Sequence, residues 1–316
     1  MAIDPDEANA LIATHTREVS ALNSSADPMI SVCLVTFDHA AFIREAIDSV
    51  LAQMGDYTCE IIVGDDCSTD GTTDIVLAYQ RMHAECIRVL LADENLGRFT
   101  GNGRLNLIRT LRACRGKYIA TLEGDDYWTS KDKLQAQVGF LETHSLYAGS
   151  CHRAKVVGAD VAVDRVFRSF SGNDLEVEDT LDTLAAWHTS TFVFRRACLE
   201  LPPWFLNVIV GDRAMFAIVA GKGLIRAFPH VMSAYRKHPR GLTARPGWAR
   251  AYHEDAIALL DHLDQHFAGR YHSRIEAVKA RERAELEAMD GLRDLIRKRQ
   301  FRRALARGWQ RLTSPA

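Results

Sequence analysis

No stretch of this 316-residue sequence is apolar and uncharged for long enough to cross a membrane as a helix. The first residues, "MAIDPDEANA", have neither a basic n-region nor an apolar h-region, so no secretory leader is expected. There is no C-x-x-C. The seven cysteines are odd in number and scattered, which argues against a disulfide framework or a structural zinc site. Cys33 sits inside an apolar run and reads as core filler, and the cytoplasm is the expected compartment. Charge of either sign is not in excess: a formal net charge of −2 gives no reason to expect nucleic acid. The phosphate loop G-x-x-x-x-G-K-[ST] is absent. So is G-x-G-x-x-G after the first apolar run, where Thr36-Phe37-Asp38-His39 stands instead. P-loop chemistry and the usual dinucleotide fold are both disfavoured.

What is present is an alternating pattern. "ISVCLVTF" (30–37) is a near-continuous apolar run of strand length, as a buried parallel strand requires. Phe42, Ile43, Ala46, Ile47, Val50, Leu51 and Met54 then recur at helical spacing. Strands are expected at 59–66, 86–93 and 117–123, and helices after "STDG" and over 104–114. The resulting β-α-β-α-β-α-β order implies a parallel sheet with helices on its faces. The second half is less regular. Strands are expected within 147–158, 164–170, 189–196 and 224–241, a helix over 210–223, and helical structure from about 247.

Two acidic pairs, Asp65-Asp66 and Asp125-Asp126, each follow a strand. In such sheets ligands bind beyond the carboxyl ends of the strands, so both pairs belong at one edge. Asp65 and Asp66 by themselves would serve as turn acceptors. The cluster Glu123-Gly124-Asp125-Asp126, followed by Tyr127 and Trp128, calls for a compensating cation or a network of hydrogen-bond donors, and clustered carboxylate oxygens suit Mg²⁺ or Mn²⁺. Trp128 and Trp187 read as packing residues rather than sugar platforms, His188 as a core or surface histidine rather than one lining the acceptor side, and Glu123 as an acid that orients its neighbours.

The segments "ISVCLVTFDHAAFIREAIDSVLAQ", "EIIVGDDCSTDGT", "ENLG", "GKYIATLEGDDYW" and "KLQAQVGFLE" together resemble the family 2 glycosyltransferases of GT-A fold, in the branch whose metal motif reads E-G-D-D-Y-W. The resemblance covers about residues 29–240. It implies transfer of a sugar from a nucleotide-diphosphate donor, expected to be a uridine diphosphate sugar, to an acceptor hydroxyl with inversion. It also implies a saccharide or lipid-linked acceptor and a role in cell-surface polysaccharide or glycolipid assembly. Thr36 would lie against base and ribose, Asp66 would meet the base, and Asp125 would contact the nucleotide. Asp126 and His238 would hold Mn²⁺ or Mg²⁺. Asp212, in "VGDRAMF", matches the catalytic base. Two departures stand out. Asp38 replaces the family's usual Asn, and "RFTGNGRLN" leaves the family's loop arginine unassigned between Arg98 and Arg104.

The expected organisation is an N-terminal extension (1–28), a catalytic domain (29–241) and a C-terminal helical region (242–316). Residues 297–312 carry seven basic side chains and no acid, with Phe301, Leu305, Trp309 and Leu312 at helical spacing. Such a helix suits an anionic membrane surface, which would make the protein peripheral at the inner face. The competing arrangement packs the same stripe on the catalytic domain. Competing functions are a catalytically inactive nucleotide-sugar-binding protein and a nucleotidyltransferase.

Overall fold

The computed structural model describes residues 3–20, 27–158, 165–167, 170, 172–182 and 185–291. The basic segment 297–316 lies outside the described residues.

Among the described residues eleven strands form one sheet: β1 (Thr16–Val19), β2 (Ile30–Thr36), β3 (Cys59–Asp65), β4 (Ile87–Ala92), β5 (Tyr118–Glu123), β6 (Tyr127–Trp128), β7 (Tyr147–Val157), β8 (Val166–Phe167), β9 (Asp174–Leu175), β10 (Val193–Arg195) and β11 (Leu224–Arg236). The main path is β1-β4-β3-β2-β5-β10-β7-β11-β6, with β8 on β7 and β9 on β11. The helices are α1 (Pro5–Thr14), α2 (Ile43–Leu51), α3 (Thr72–Met82), α4 (Gly97–Thr100), α5 (Arg104–Ala113), α6 (Lys133–Thr143), α7 (Val177–Thr180), α8 (Gly211–Ala220) and α9 (Trp248–His266), and residues 272–291 are helical as well.

The apolar runs become the parallel centre of the sheet. β2 pairs in parallel with both β3 and β5, and β3 with β4. Their side chains are buried on both faces, in two apolar clusters. One cluster packs α2 and α6, through Ile43, Ile47 and Leu134, on one face. The other packs α5, α8 and α9, through Leu105, Phe216 and Leu260, on the opposite face. Burial of this kind contributes roughly 25 cal/mol per Å² of apolar surface.

The register fixes the site. Thr36 stands opposite Asp65, and Val35 opposite Glu123, so three strands end at one level. Buried polar groups hold that edge in place. Arg109 of α5 donates to the carbonyls of Asp65 (2.6 Å) and Leu90 (3.2 Å), and Asn106 donates to the carbonyl of Gly64 (2.9 Å). These contacts satisfy backbone acceptors where the ladder runs out.

One strand departs from the sequence pattern. Residues 16–19, "TREV", extend the sheet as β1, antiparallel to β4, where the sequence suggests only helix and linker for 1–28. An edge strand half open to water has no two-sided apolar run to announce it.

Candidate active site

The crevice lies beyond the carboxyl ends of β2, β3 and β5. Antiparallel pairing of β6 with β11 sets Ser233 opposite Trp128 and Ala234 opposite Tyr127, which runs the chain at 236–238 back past Asp125 and Asp126. The Arg236 amide donates to Asp126 Oδ1 (2.8 Å), and its guanidinium is bonded to the Asp125 carbonyl and to Glu45. His238 Nε2 lies 3.0 Å from Asp125 Oδ2, and His39 Nε2 lies 3.8 Å from the same oxygen. His188 Nδ1 is 3.7 Å from Asp126 Oδ2, and its ring stacks on Tyr235.

Among the described residues, two groups place one ligand atom per residue within 4.8 Å of one another: His39 with Asp125 and His238, and Glu123 with Asp126 and His188. Asp126 and His238, the two metal ligands expected from the sequence, thus fall in neighbouring groups, and His238 is brought to Asp125. Sequence reading missed His39 and preferred a core or surface place for His188 over one lining the acceptor side. The only signal for His39 was its place just past the first strand, where a ligand loop is expected.

Gly124 is explained by close approach. A Cβ there would lie 2.7 Å from Thr36 Oγ1, closer than real side chains pack, and 3.0 Å from His39 Nδ1, a tight contact. Only glycine lets the acidic turn seat against both residues.

The electrostatics of the crevice are strained. Burial pushes the Glu123 carboxyl up to about 8, with Asp125 and Asp212 adding to the shift. Burial also raises Asp126 well above the carboxylate range, reinforced by Asp125 and Glu123. His188 is lowered to about 4 by burial, and His39 is lowered for the same reason. Crowded acids beside uncharged imidazoles favour protons or a cation. Glu123 Oε2, Thr36 Oγ1 and His39 Nδ1 are buried and have no partner among the described residues. Carboxylates and neutral imidazoles with free lone pairs are a fitting donor set for a divalent ion.

Asp212 approaches from α8. It is the one residue of that helix not fully buried, and it lies close enough to Glu123 to raise its pKa. Asp212 Oδ1 accepts from the Arg213 amide (2.8 Å). A helix N-terminus favours a carboxylate, as do nearby Arg213 and Arg104. Burial outweighs them, and the Asp212 carboxyl is raised above its usual range. A raised carboxyl is a better proton acceptor.

The first acidic pair is held by the protein. Asp65 accepts from the Ser68 amide and hydroxyl and from the Thr73 hydroxyl. Asp66 accepts from the amides of Leu96 (2.8 Å) and Gly97 (3.1 Å), which folds the "ENLG" loop over it. The Thr36 carbonyl accepts from the Asp66 amide (3.1 Å). Asp38 takes positive φ, and its carboxylate accepts from the Thr69 amide (2.7 Å), tying the two strand-end loops together. Arg98 is exposed and paired with Glu94 (2.7 Å), whereas Arg104 is buried and donates to the Leu206 carbonyl (2.9 Å). Trp128 and Trp187 are packing residues. Trp128 Nε1 donates to the Ser190 carbonyl, with Lys133 over its ring, and Trp187 packs on Phe192 and Phe216.

The model of the family described as "Glycosyl transferase family 2" matches residues 31–200. An uncharacterized protein of Mycobacterium tuberculosis is 33% identical over 226 residues, which cover 71% of this chain and 61% of the relative. The chain therefore spans less than two thirds of that relative's length. The putative teichuronic acid biosynthesis glycosyltransferase TuaG of Bacillus subtilis is 36% identical over 118 residues, 37% of this chain and 44% of TuaG. Among solved structures, residues 1–349 of TarS from S. aureus superpose with a TM-score of 0.57 at 17% identity, covering 83% of this chain and 73% of that one. The mannosyltransferase PcManGT from Pyrobaculum calidifontis, solved with GDP-Man and Mn²⁺, gives 0.55 at 18% identity, covering 90% and 81%. At these identities the likeness is one of fold: a mixed α/β sheet flanked by helices, GT-A in type, with a C-terminal helical region.

Proposed function

The chain belongs to glycosyl transferase family 2, and from that premise we propose that it is a metal-dependent inverting glycosyltransferase using a nucleotide-diphosphate sugar. The observation that carries this reading is one crevice at a parallel sheet edge. It holds a cluster of candidate cation ligands, and a separate carboxylate, Asp212, enters from another helix.

In the proposed reaction an acceptor hydroxyl attacks the anomeric carbon from the face opposite the leaving group. Asp212 takes the hydroxyl proton. The bond between the anomeric carbon and the diphosphate oxygen breaks, its electron pair leaves with the nucleoside diphosphate, and the configuration inverts. Asp125, Asp126 and His238 would hold the divalent ion, which when bound would offset the negative charge of the diphosphate. Arg236 holds the turn that presents both aspartates. Thr36 would lie against base and ribose. Asp66 would meet the base while holding its two amides, since a carboxylate oxygen accepts more than one hydrogen bond. A uridine diphosphate sugar as donor, a saccharide or lipid-linked acceptor, and a place in polysaccharide or glycolipid assembly belong to the same proposal. It is supported by the relatedness to TuaG, whose name places it in teichuronic acid biosynthesis.

Calorimetry with uridine, guanosine and thymidine diphosphates tests the binding half. One of the three is expected to bind at least about tenfold tighter with Mn²⁺ than with chelator, a gain of about 1.4 kcal/mol. Binding of none, or binding indifferent to chelator, contradicts the reading.

Membrane attachment through residues 297–316 is proposed from their composition. No helix among the described residues is long and apolar enough to cross a membrane. Each basic residue near an anionic surface contributes about 1 kcal/mol, screened by salt. The full chain is therefore expected to co-sediment with phosphatidylserine vesicles at low salt, and less so at high salt. The chain truncated at residue 296 is expected to stay in solution. Equal, salt-insensitive behaviour of the two would remove this part of the proposal.

A further inference from the structure

His39 is a residue to which neither the sequence pattern nor the comparisons give a role, and its surroundings are built. It arrives from the loop after β2, Asp125 from the turn after β5, and His238 from the segment after β11. Three chain segments distant in sequence thus converge on one oxygen, Asp125 Oδ2, with His238 Nε2 at 3.0 Å and His39 Nε2 at 3.8 Å. Both imidazoles are braced by the same ring: Phe42 lies 4.8 Å from His238 and 6.5 Å from His39, centroid to centroid. The missing side chain at Gly124 is what allows His39 to sit so close to the acidic turn.

We infer that His39 joins Asp125 and His238 as a direct ligand, making a two-nitrogen, one-oxygen site that holds a first-row transition metal in preference to Mg²⁺. This inference rests on the nucleotide-sugar reading of the same crevice and specifies its cation. This group is open to solvent. The side chains of His39, Asp125 and His238 are 19%, 18% and 12% exposed, so a hydrated ion reaches them and keeps positions open for phosphate oxygens. Asp126, 2% exposed, has Oδ1 engaged by the Arg236 amide and keeps Oδ2 as its ligand atom on the buried side. The donor set gives the selectivity. Mg²⁺ prefers all-oxygen octahedral surroundings and releases water reluctantly, whereas imidazole nitrogen is a ligand of first-row transition ions, among which Mn²⁺ is the weakest binder and so the most stringent probe.

The test is pulsed electron paramagnetic resonance of Mn²⁺ bound to the full chain without nucleotide, with Mn²⁺ and Mg²⁺ affinities measured by calorimetry. The wild type is expected to show modulation from two directly bound imidazole nitrogens. His39→Ala and His238→Ala should each show one. Mn²⁺ affinity should fall about 10–100-fold in His39→Ala, the range seen even for loss of a partner behind a ligand, while Mg²⁺ affinity changes little. His39→Gln is read in the same way, and metal-free melting curves identify any variant that fails to fold. Two-nitrogen modulation that persists in folded His39→Ala or His39→Gln overturns the inference. If that result accompanies normal Mn²⁺-dependent donor binding, the nucleotide-sugar reading survives without His39. If the wild type binds no divalent ion, with or without nucleotide, the cation half of that reading falls as well.

Discussion

Asp212→Asn is expected to lower turnover by on the order of 10²-fold or more while donor affinity stays within a few-fold, as loss of a general base does. Asparagine preserves shape and can still accept from the Arg213 amide, so the start of α8 is retained. Only the ability to take a proton is lost. The pH dependence follows from the raised Asp212 carboxyl. The base form exists only above that raised value, so wild-type turnover declines as pH falls through it, at a pH above the ordinary carboxylate range. The variant's residual activity lacks that limb.

Stability moves the other way. A carboxyl whose folded pKa exceeds its unfolded one binds protons more readily in the native state. The native state therefore loses stability as pH rises from the ordinary carboxylate range through the raised value. Asparagine removes this loss. The variant is expected to melt no lower than the wild type at neutral pH, and the difference should shrink in acid. Saturation kinetics across pH, together with melting curves, check all of these points. Lost donor binding with unchanged saturating turnover would make Asp212 a binding residue.

Asp126→Ala is expected to abolish transfer, on the order of 10²–10³-fold or more, the scale seen when one preorganised electrostatic group is removed. It should also weaken metal-dependent donor binding. Alanine leaves the Arg236 amide without its acceptor, which costs about 1–3 kcal/mol if the amide stays dry. Asp126→Asn separates the two effects, because it keeps an acceptor for that amide and removes the charge. Both variants should be inactive, and the asparagine variant should melt near the wild type. Near wild-type turnover with Mn²⁺ or Mg²⁺ in Asp126→Asn would show that the charge at 126 is not required.

The parts of this molecule that could be read from sequence are those where local pattern and tertiary role coincide. "ISVCLVT" and "YIATLE" are buried on both faces in the parallel centre, so their apolar runs announce them. The acids just past those runs had to lie at one edge, because parallel strands share a direction. Asp212 was legible as an acid opening an apolar helix. What was not legible depends on long-range pairing. Nothing in "TFVFRR" says that β10 inserts antiparallel between β5 and β7. Likewise, nothing in "YRKHPRG" says that β11 returns beside β6 and delivers the Arg236 amide to Asp126.

Single histidines carry no periodicity, so His39 and His188 could be placed only by the fold. The two acids of "GDD" look alike in sequence. Their difference, one closing its own turn and the other holding the "ENLG" loop, comes from loops about 30 residues apart.

The central claim is that this crevice breaks the bond between a sugar and a nucleoside diphosphate. The most direct measurement is phosphorus NMR of the full chain incubated with uridine, guanosine and thymidine diphosphate sugars and Mn²⁺, water standing in for the acceptor hydroxyl, with and without chelator. The account predicts that one donor is converted to its nucleoside diphosphate with the phosphorus–oxygen–phosphorus linkage intact, and that chelator stops the conversion. Cleavage between the two phosphorus atoms, or conversion that chelator leaves unchanged, would contradict it.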